Sequence, residues 1–162
     1  MFSKLTSIFL LLAFLCTAPL SVFANAQSDI EFILAASKPP KGIVFEVVEG
    51  SENKLETALN EINHYIKALK SKYADIKIAV VSHGTEQFAL LKNNKQKHAS
   101  THKKVQSLVS NDVPVSVCGT HASWYQLTAK DFPAYVDVAD SGPGKIREYQ
   151  RMGYALIEID VK

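Results

Sequence analysis

Five apolar, β-rich runs alternate with helix-forming segments along this chain, and no other feature narrows its fold as much. The runs are GIVFEVVEG, IKIAVVSHG, VPVSVCG, AYVDVADSG and YALIEIDV. Between the first two lies NKLETALNEINHYIKALKSKY, in which Leu55, Leu59, Ile62, Ile66 and Leu69 recur at helical spacing and make one apolar stripe. Asn53, with Glu56 three residues on, suits a capping pair at the start of this helix. TEQFALLKN reads as a short helix, NNKQKHASTHKK as a polar, basic loop, and Lys103 to Ser110 as a further helix. HASWYQLT supplies a helical turn or two, and GPGKIREYQRMG a helix with proline in its first turn. IKIAVVSHG is apolar almost throughout, as suits a strand buried on both faces of a parallel sheet. This alternation predicts one three-layer α/β/α domain with a mainly parallel five-stranded sheet.

The first residues are of a different kind. MFSKLTSIFLLLAFLCTAPLSVFANA has an early lysine, Lys4, an apolar run from Ile8 to Leu15 and a small-x-small ending. That is the pattern of a secretory signal peptide over residues 1–26, with cleavage after Ala26 or after Ala24. Its apolar core is too short for a comfortable membrane span, so no stable anchor is expected after cleavage. Cys16 follows Leu15, which is not the small residue that an acylated cysteine needs, so it leaves with the signal. The expected location is the periplasm or the exterior. Residues 27–40 then form an N-terminal arm ending in KPPK, with Ile30, Phe32, Ile33 and Leu34 needing a surface to pack on. The domain proper covers residues 41–162.

The formal net charge of +2 is too small to draw the chain to nucleic acid. Once the signal is removed a single cysteine, Cys118, remains, so no internal disulfide holds the fold. Three segments end a strand and open a helix: VSHG, VCGTH and VADSG. Ligands in open α/β sheets bind beyond the carboxyl ends of the strands. Adjacent strands would therefore bring His83, Cys118, His121 and Ser141 or Asp140 to one edge. A thiol at a helix start is favoured as thiolate by free amides and the dipole. Gly119 would leave room above the sulfur, Thr120 would cap the helix through its hydroxyl, and His121 would pair with the thiolate. The rival reading makes Cys118 a small core hydrophobe.

The remaining histidines read as structural. His64 lies on the outer half of its helix. His98 and His102 are spaced i, i+4, as metal ligands on a helix would be, but the surrounding lysines point to a solvated surface. Trp124 and Tyr125 would either wall the thiol pocket or join the core.

VVSHG followed by ALLK, then VPVSVCGTHAS, then LTAKDFPAYVDVADSGPGKIREYQRMGYALIEI, together resemble the DsrE/DsrF-like sulfur-relay proteins, in particular their small exported members. The resemblance runs from about Lys41 to Ile159. It implies a fold of flavodoxin-like topology and homo-oligomers (trimers or hexamers); no cofactor is expected. It also implies that Cys118 matches the cysteine that carries a persulfide in sulfur-transferring members. The partner would be a sulfur donor or acceptor protein, or a small thiol. Where the chain reads GTHASW after Cys118, many exported relatives carry an asparagine-containing stretch, so a role for His121 rests on chemistry alone.

Three functions stay open at this point. One is a persulfide carrier, sulfurtransferase-like, with Cys118 as sulfur acceptor, His83 and His121 tuning its protonation, and Gly84, Gly119, Thr120 and Ser141 lining the pocket. The second is a metal-binding module using Cys118, His121 and His83, a soft to borderline donor set suited to copper(I) or zinc. The third is a non-catalytic oligomeric interaction protein.

Overall fold

A computed structural model describes residues 25–162. The expected signal peptide, apart from its last two residues, lies outside the described residues.

The elements in chain order are α1 (Ala26–Ala35), β1 (Gly42–Val47), α2 (Lys54–Lys72), β2 (Lys77–Ser82), α3 (Ala99–Ser110), β3 (Val115–Cys118), α4 (Gly119–Ser123), β4 (Asp137–Ala139), α5 (Gly142–Arg151) and β5 (Tyr154–Ile159). Short 3-10 turns at Thr85–Leu90 and Lys92–Asn94 lead from β2 towards α3. All strand pairs are parallel, and the order across the sheet is β4-β3-β2-β1-β5. The class is the expected α/β one. The order differs from the 2-1-3-4-5 of flavodoxin. Here β1 to β4 step in one direction, and only the last connection returns across the sheet.

Alternation along the strands separates two cores. Ile43, Phe45 and Val47 point to the face covered by α1, α2 and α3, where Leu55, Leu59, Ile62 and Leu69 are fully buried. Val44, Ala79 and Val81 point the other way, against Ile146 and Tyr149 of α5. Ala122 of α4 belongs to the first core. The exit from β3 therefore turns to one face and the exit from β4 to the other. The crevice between those two exits is the switch point at which such sheets bind ligands.

The N-terminal arm is a helix. Asn25 caps it by accepting from the Ser28 amide at 2.9 Å, and Ile30 and Ile33 enter the first core. Tyr73 donates its hydroxyl to the carbonyls of Ile33 (2.9 Å) and Ala36 (2.6 Å), which ties the arm to the end of α2. Burying each isoleucine contributes about 2 kcal/mol. The capping pair expected at Asn53 does not form: its backbone is already helical, and its side chain makes no cap bond. Glu56 instead accepts from Ser100 at 2.6 Å and pairs with Lys104 at 3.3 Å.

Candidate functional site

Cys118 ends β3 and is itself the N-cap of α4. Its Sγ accepts from the His121 amide at 3.4 Å, and its own amide donates to Gln87 Oε1 at 2.7 Å. The cap is thus the sulfur and not the Thr120 hydroxyl. Thr120 instead donates its hydroxyl to Asp140 O at 2.6 Å and its amide to the same oxygen at 3.0 Å, clipping the exits of β3 and β4 together. With α4 only five residues long, the amide directed at the sulfur matters more than any macrodipole. A Cβ on Gly119 would approach Ala139 O at 3.0 Å, so its small size serves the packing of β3 on β4.

His83 follows β2. Its ring Nε2 lies 2.6 Å from Glu46 Oε1, and its amide donates to Val47 O at 3.0 Å. Helix α5 starts directly against it: a Cβ on Gly142 would fall 2.4 Å from His83 Cβ, so only glycine fits there. His121 Nδ1 donates to the carbonyl of His83 at 2.9 Å. The His121 ring is therefore tied to the His83 backbone, and each imidazole has one nitrogen committed to an oxygen acceptor. In the neutral rings this leaves His83 Nδ1 and His121 Nε2 as the basic nitrogens. The His121 ring also sits among Phe88, Trp124 and Tyr125, at centroid distances of 5.3, 5.1 and 5.5 Å.

These residues enclose an open cleft of about 470 Å³ beyond the carboxyl ends of β1 to β4. Cys118 lies at its floor, 5% exposed. His83, His121, Thr120 and Ser141 line it, with Gly84 and Thr85 beside them. Trp124, 73% exposed, and Val48, 54% exposed, form its rim. The structure thus brings together every residue expected in the pocket except Gly119. Trp124 and Tyr125 are both exposed, so neither joins the core. A hollow of similar size, about 450 Å³, lies along β3 and β4 near Phe132 and holds no thiol or imidazole.

Beneath the cleft lies a pair of acids that sequence reasoning missed. Glu86 is fully buried. Its Oε1 accepts from Ser82 Oγ at 2.7 Å and from the Gly84 amide at 3.0 Å, and its Oε2 accepts from the Glu49 amide at 2.6 Å. Glu49 in turn accepts from the Val161 amide at 2.7 Å and pairs with Lys54 at 2.9 Å. Glycine is required at 84, because a Cβ there would fall 2.3 Å from Glu86 Oε2 and 2.6 Å from the Glu49 backbone. Gln87, next along, is fully buried and reaches across to Cys118, with its Nε2 left unpartnered. The only outward hint was two polar residues, Glu86 and Gln87, opening an otherwise apolar run.

Among the described residues no group of three or more His, Cys, Asp or Glu side chains is placed to hold a metal ion. Cys118, His83 and His121 form no such group, and one nitrogen of each ring is already engaged, by Glu46 and by the His83 carbonyl. His98 and His102 correct a second expectation, since both are buried. The helix α3 starts at Ala99, earlier than expected, with buried His98 as its N-cap and His102 in its first turn facing inward. His98 bonds Glu52 at 2.9 Å, and His102 bonds Ala89 O at 3.0 Å and the Tyr135 hydroxyl. Lys95, Lys97 and Lys103 between and beside them take the solvent-facing positions. His64 is exposed, on the outer side of α2.

The chain belongs to the DsrE/DsrF-like family, which it matches over residues 43–159. Two solved structures share the fold. The protein of unknown function MTH1491 from Methanobacterium thermoautotrophicum is 22% identical with a TM-score of 0.58, over 72% of this chain and 96% of that one. The conserved protein of unknown function BT1422 from Bacteroides thetaiotaomicron is 13% identical with a TM-score of 0.51, over 72% of this chain and 94% of that one. No curated protein sequence matches this one.

Proposed function

We propose that this protein is an exported sulfur carrier in which Cys118 accepts and passes on a sulfane sulfur. The observation that carries this reading is the placement of Cys118. Its sulfur receives a backbone amide at 3.4 Å on the floor of a cleft that two tethered imidazoles also line. An amide directed at sulfur favours its electron-rich form, and a neighbouring imidazole nitrogen can take the thiol proton. The thiolate then attacks the outer sulfur of a donor persulfide, R–S–SH. One S–S bond forms and one breaks, giving Cys118–S–SH and R–S⁻, which recovers the proton from the imidazole. No electrons are gained or lost overall. Assembly into trimers or hexamers belongs to the same proposal.

The test is intact mass after incubation of the mature protein with a small-molecule persulfide donor. A reducible gain of about 32 Da is expected, absent in Cys118→Ser. No gain in the natural protein, or an equal gain in the variant, overturns the reading.

Export carries its own expectation. Cleavage after Ala24 keeps Asn25 as the cap of α1 and keeps the buried Ala26 in the core. Cleavage after Ala26 removes both, and loss of the cap alone costs about 1 kcal/mol. N-terminal sequencing of the exported protein should therefore read Asn-Ala-Gln; a start at Gln27 would contradict this.

A further inference from the structure

The cleft lining holds one thiol, three hydroxyls, two imidazoles and one carboxylate, but no lysine or arginine. Its fixed charges are negative. Glu86, directly under Gly84, accepts three hydrogen bonds from uncharged groups and, among the described residues, makes no ion pair. Glu46 faces His83 at 2.6 Å and leaves a net negative charge whenever that ring is neutral. Glu158 stands next to Glu46 across the β1–β5 register, and Asp140 is exposed at the exit of β4. Glu49, the one carboxylate on the cleft lining, is cancelled by Lys54 at 2.9 Å. The nearest cations on α5 are directed away: Lys145 pairs with Asp137 at 3.5 Å and Glu148 at 3.9 Å, and Arg147 lies against Gly144 outside the lining. Above the sulfur, the rim is apolar and exposed, with the Trp124 indole on one side and Val48 on the other.

From this we infer that the cleft selects its sulfur partner by charge and by apolar body. It takes an uncharged or cationic thiol or persulfide whose substituent rests on Trp124, and it rejects anionic sulfur compounds such as thiosulfate. A sulfur oxyanion entering the cleft finds no unpaired cation on its lining to replace the water it loses, since Lys54 is already paired with Glu49, and it approaches the uncompensated carboxylates of Glu86 and Glu46. An uncharged chain bearing the sulfur loses little on entry and gains the indole face, and a cationic one gains the field as well. The inference rests on Cys118 being the reacting sulfur of the proposed carrier, and the control below separates the two.

Methanethiosulfonate reagents read this directly. Each transfers its R–S group to Cys118, forming Cys118–S–S–R and releasing methanesulfinate, so three reagents with a positive, a neutral or a negative R probe the cleft with one chemistry. Rates are measured at pH 8 and low ionic strength, each divided by that reagent's rate with free mercaptoethanol. The anionic reagent is expected to lag the cationic one on the order of tenfold after this correction. The gap should shrink as salt is added. A benzyl reagent should lose more of its corrected rate in Trp124→Ala than a methyl reagent does. Equal or faster corrected rates for the anionic reagent overturn charge selection, and equal losses in Trp124→Ala overturn the role of the indole. Uptake that persists in Cys118→Ser instead overturns the reading of the site itself.

Discussion

Glu86→Ala is expected to lower the free energy of unfolding by about 4 kcal/mol, the largest loss foreseen for a single side chain that is not part of the apolar core. Three buried or half-buried donors converge on this carboxylate: Ser82 Oγ, the Gly84 amide and the Glu49 amide. Removing the acceptor strands all three at once, and each stranded donor costs about 1–3 kcal/mol, partly relieved by water entering the space. Glu86→Gln tests the charge and acceptor requirement without changing shape. Both oxygens of the natural side chain accept, so an amide must turn its NH₂ group towards a donor whichever way it flips, and a loss of about 2 kcal/mol is expected. Urea unfolding at neutral pH measures both. A change of less than about 1 kcal/mol in the alanine variant would show that the brace carries no stability. The same brace positions function, because it fixes the turn between His83 and Gln87, and Gln87 holds the Cys118 amide at 2.7 Å. Losing Glu86 should therefore also loosen the floor of the cleft.

The limits of the sequence are clearest at that brace. Period-2 and period-3.6 patterns expose which segments pair and which pack, because apolar burial dominates those choices. The α2 stripe, the five strands and the loops meeting at the carboxyl ends were legible for that reason, and so was the gathering of His83, Cys118, His121 and Ser141. A buried carboxylate has no such signature. Glu86 and Glu49 look like any surface acid until the backbone amides that satisfy them are in place, and those amides come from the turns just after β1 and β2 and from Val161 beyond β5. His98 and His102 misled in the same way: the lysines around them reported a solvated surface correctly, while the histidines themselves turn inward to Glu52 and Ala89. Strand order is likewise a long-range outcome that no local pattern encodes. The helix cap expected of Thr120 does not form, because its hydroxyl and amide both donate to Asp140 O at the exit of β4, and Gly119 packs against Ala139 O of the same strand.

Mild acid should destabilise the protein through His102. Burial holds this imidazole below its ordinary value, with Lys95 and His98 nearby acting in the same direction against the raising effect of the bond to Ala89 O. The hydrogen bonds show why the neutral ring is preferred. Nε2–H donates to Ala89 O at 3.0 Å, so Nδ1 must accept from the Tyr135 hydroxyl, and a proton on Nδ1 would force that hydroxyl to turn round. The unfolded chain binds a proton at about pH 6.5 while the folded chain still resists it. The stabilisation is therefore complete above roughly pH 6.5 and declines as the pH falls below it, down to the lowered folded value. Glu52, held below the usual carboxylate range chiefly by its bond to Lys97, adds a second decline at more acidic pH, below about 4.5, as its own carboxylate is protonated. His102→Gln isolates the first window. A glutamine can still donate to Ala89 and accept from Tyr135, so a loss of about 1–2 kcal/mol is expected at pH 8, and the fall between pH 7 and 5.5 should be shallower than in the natural protein. Parallel curves for the two proteins would exclude His102 as the source. The consequence reaches the cleft through a short path. Ala89 and Gln87 belong to the same 3-10 turn, and Gln87 is the side chain that holds the Cys118 amide. Protonating a histidine on the far side of that turn therefore acts on the segment that seats the reactive sulfur.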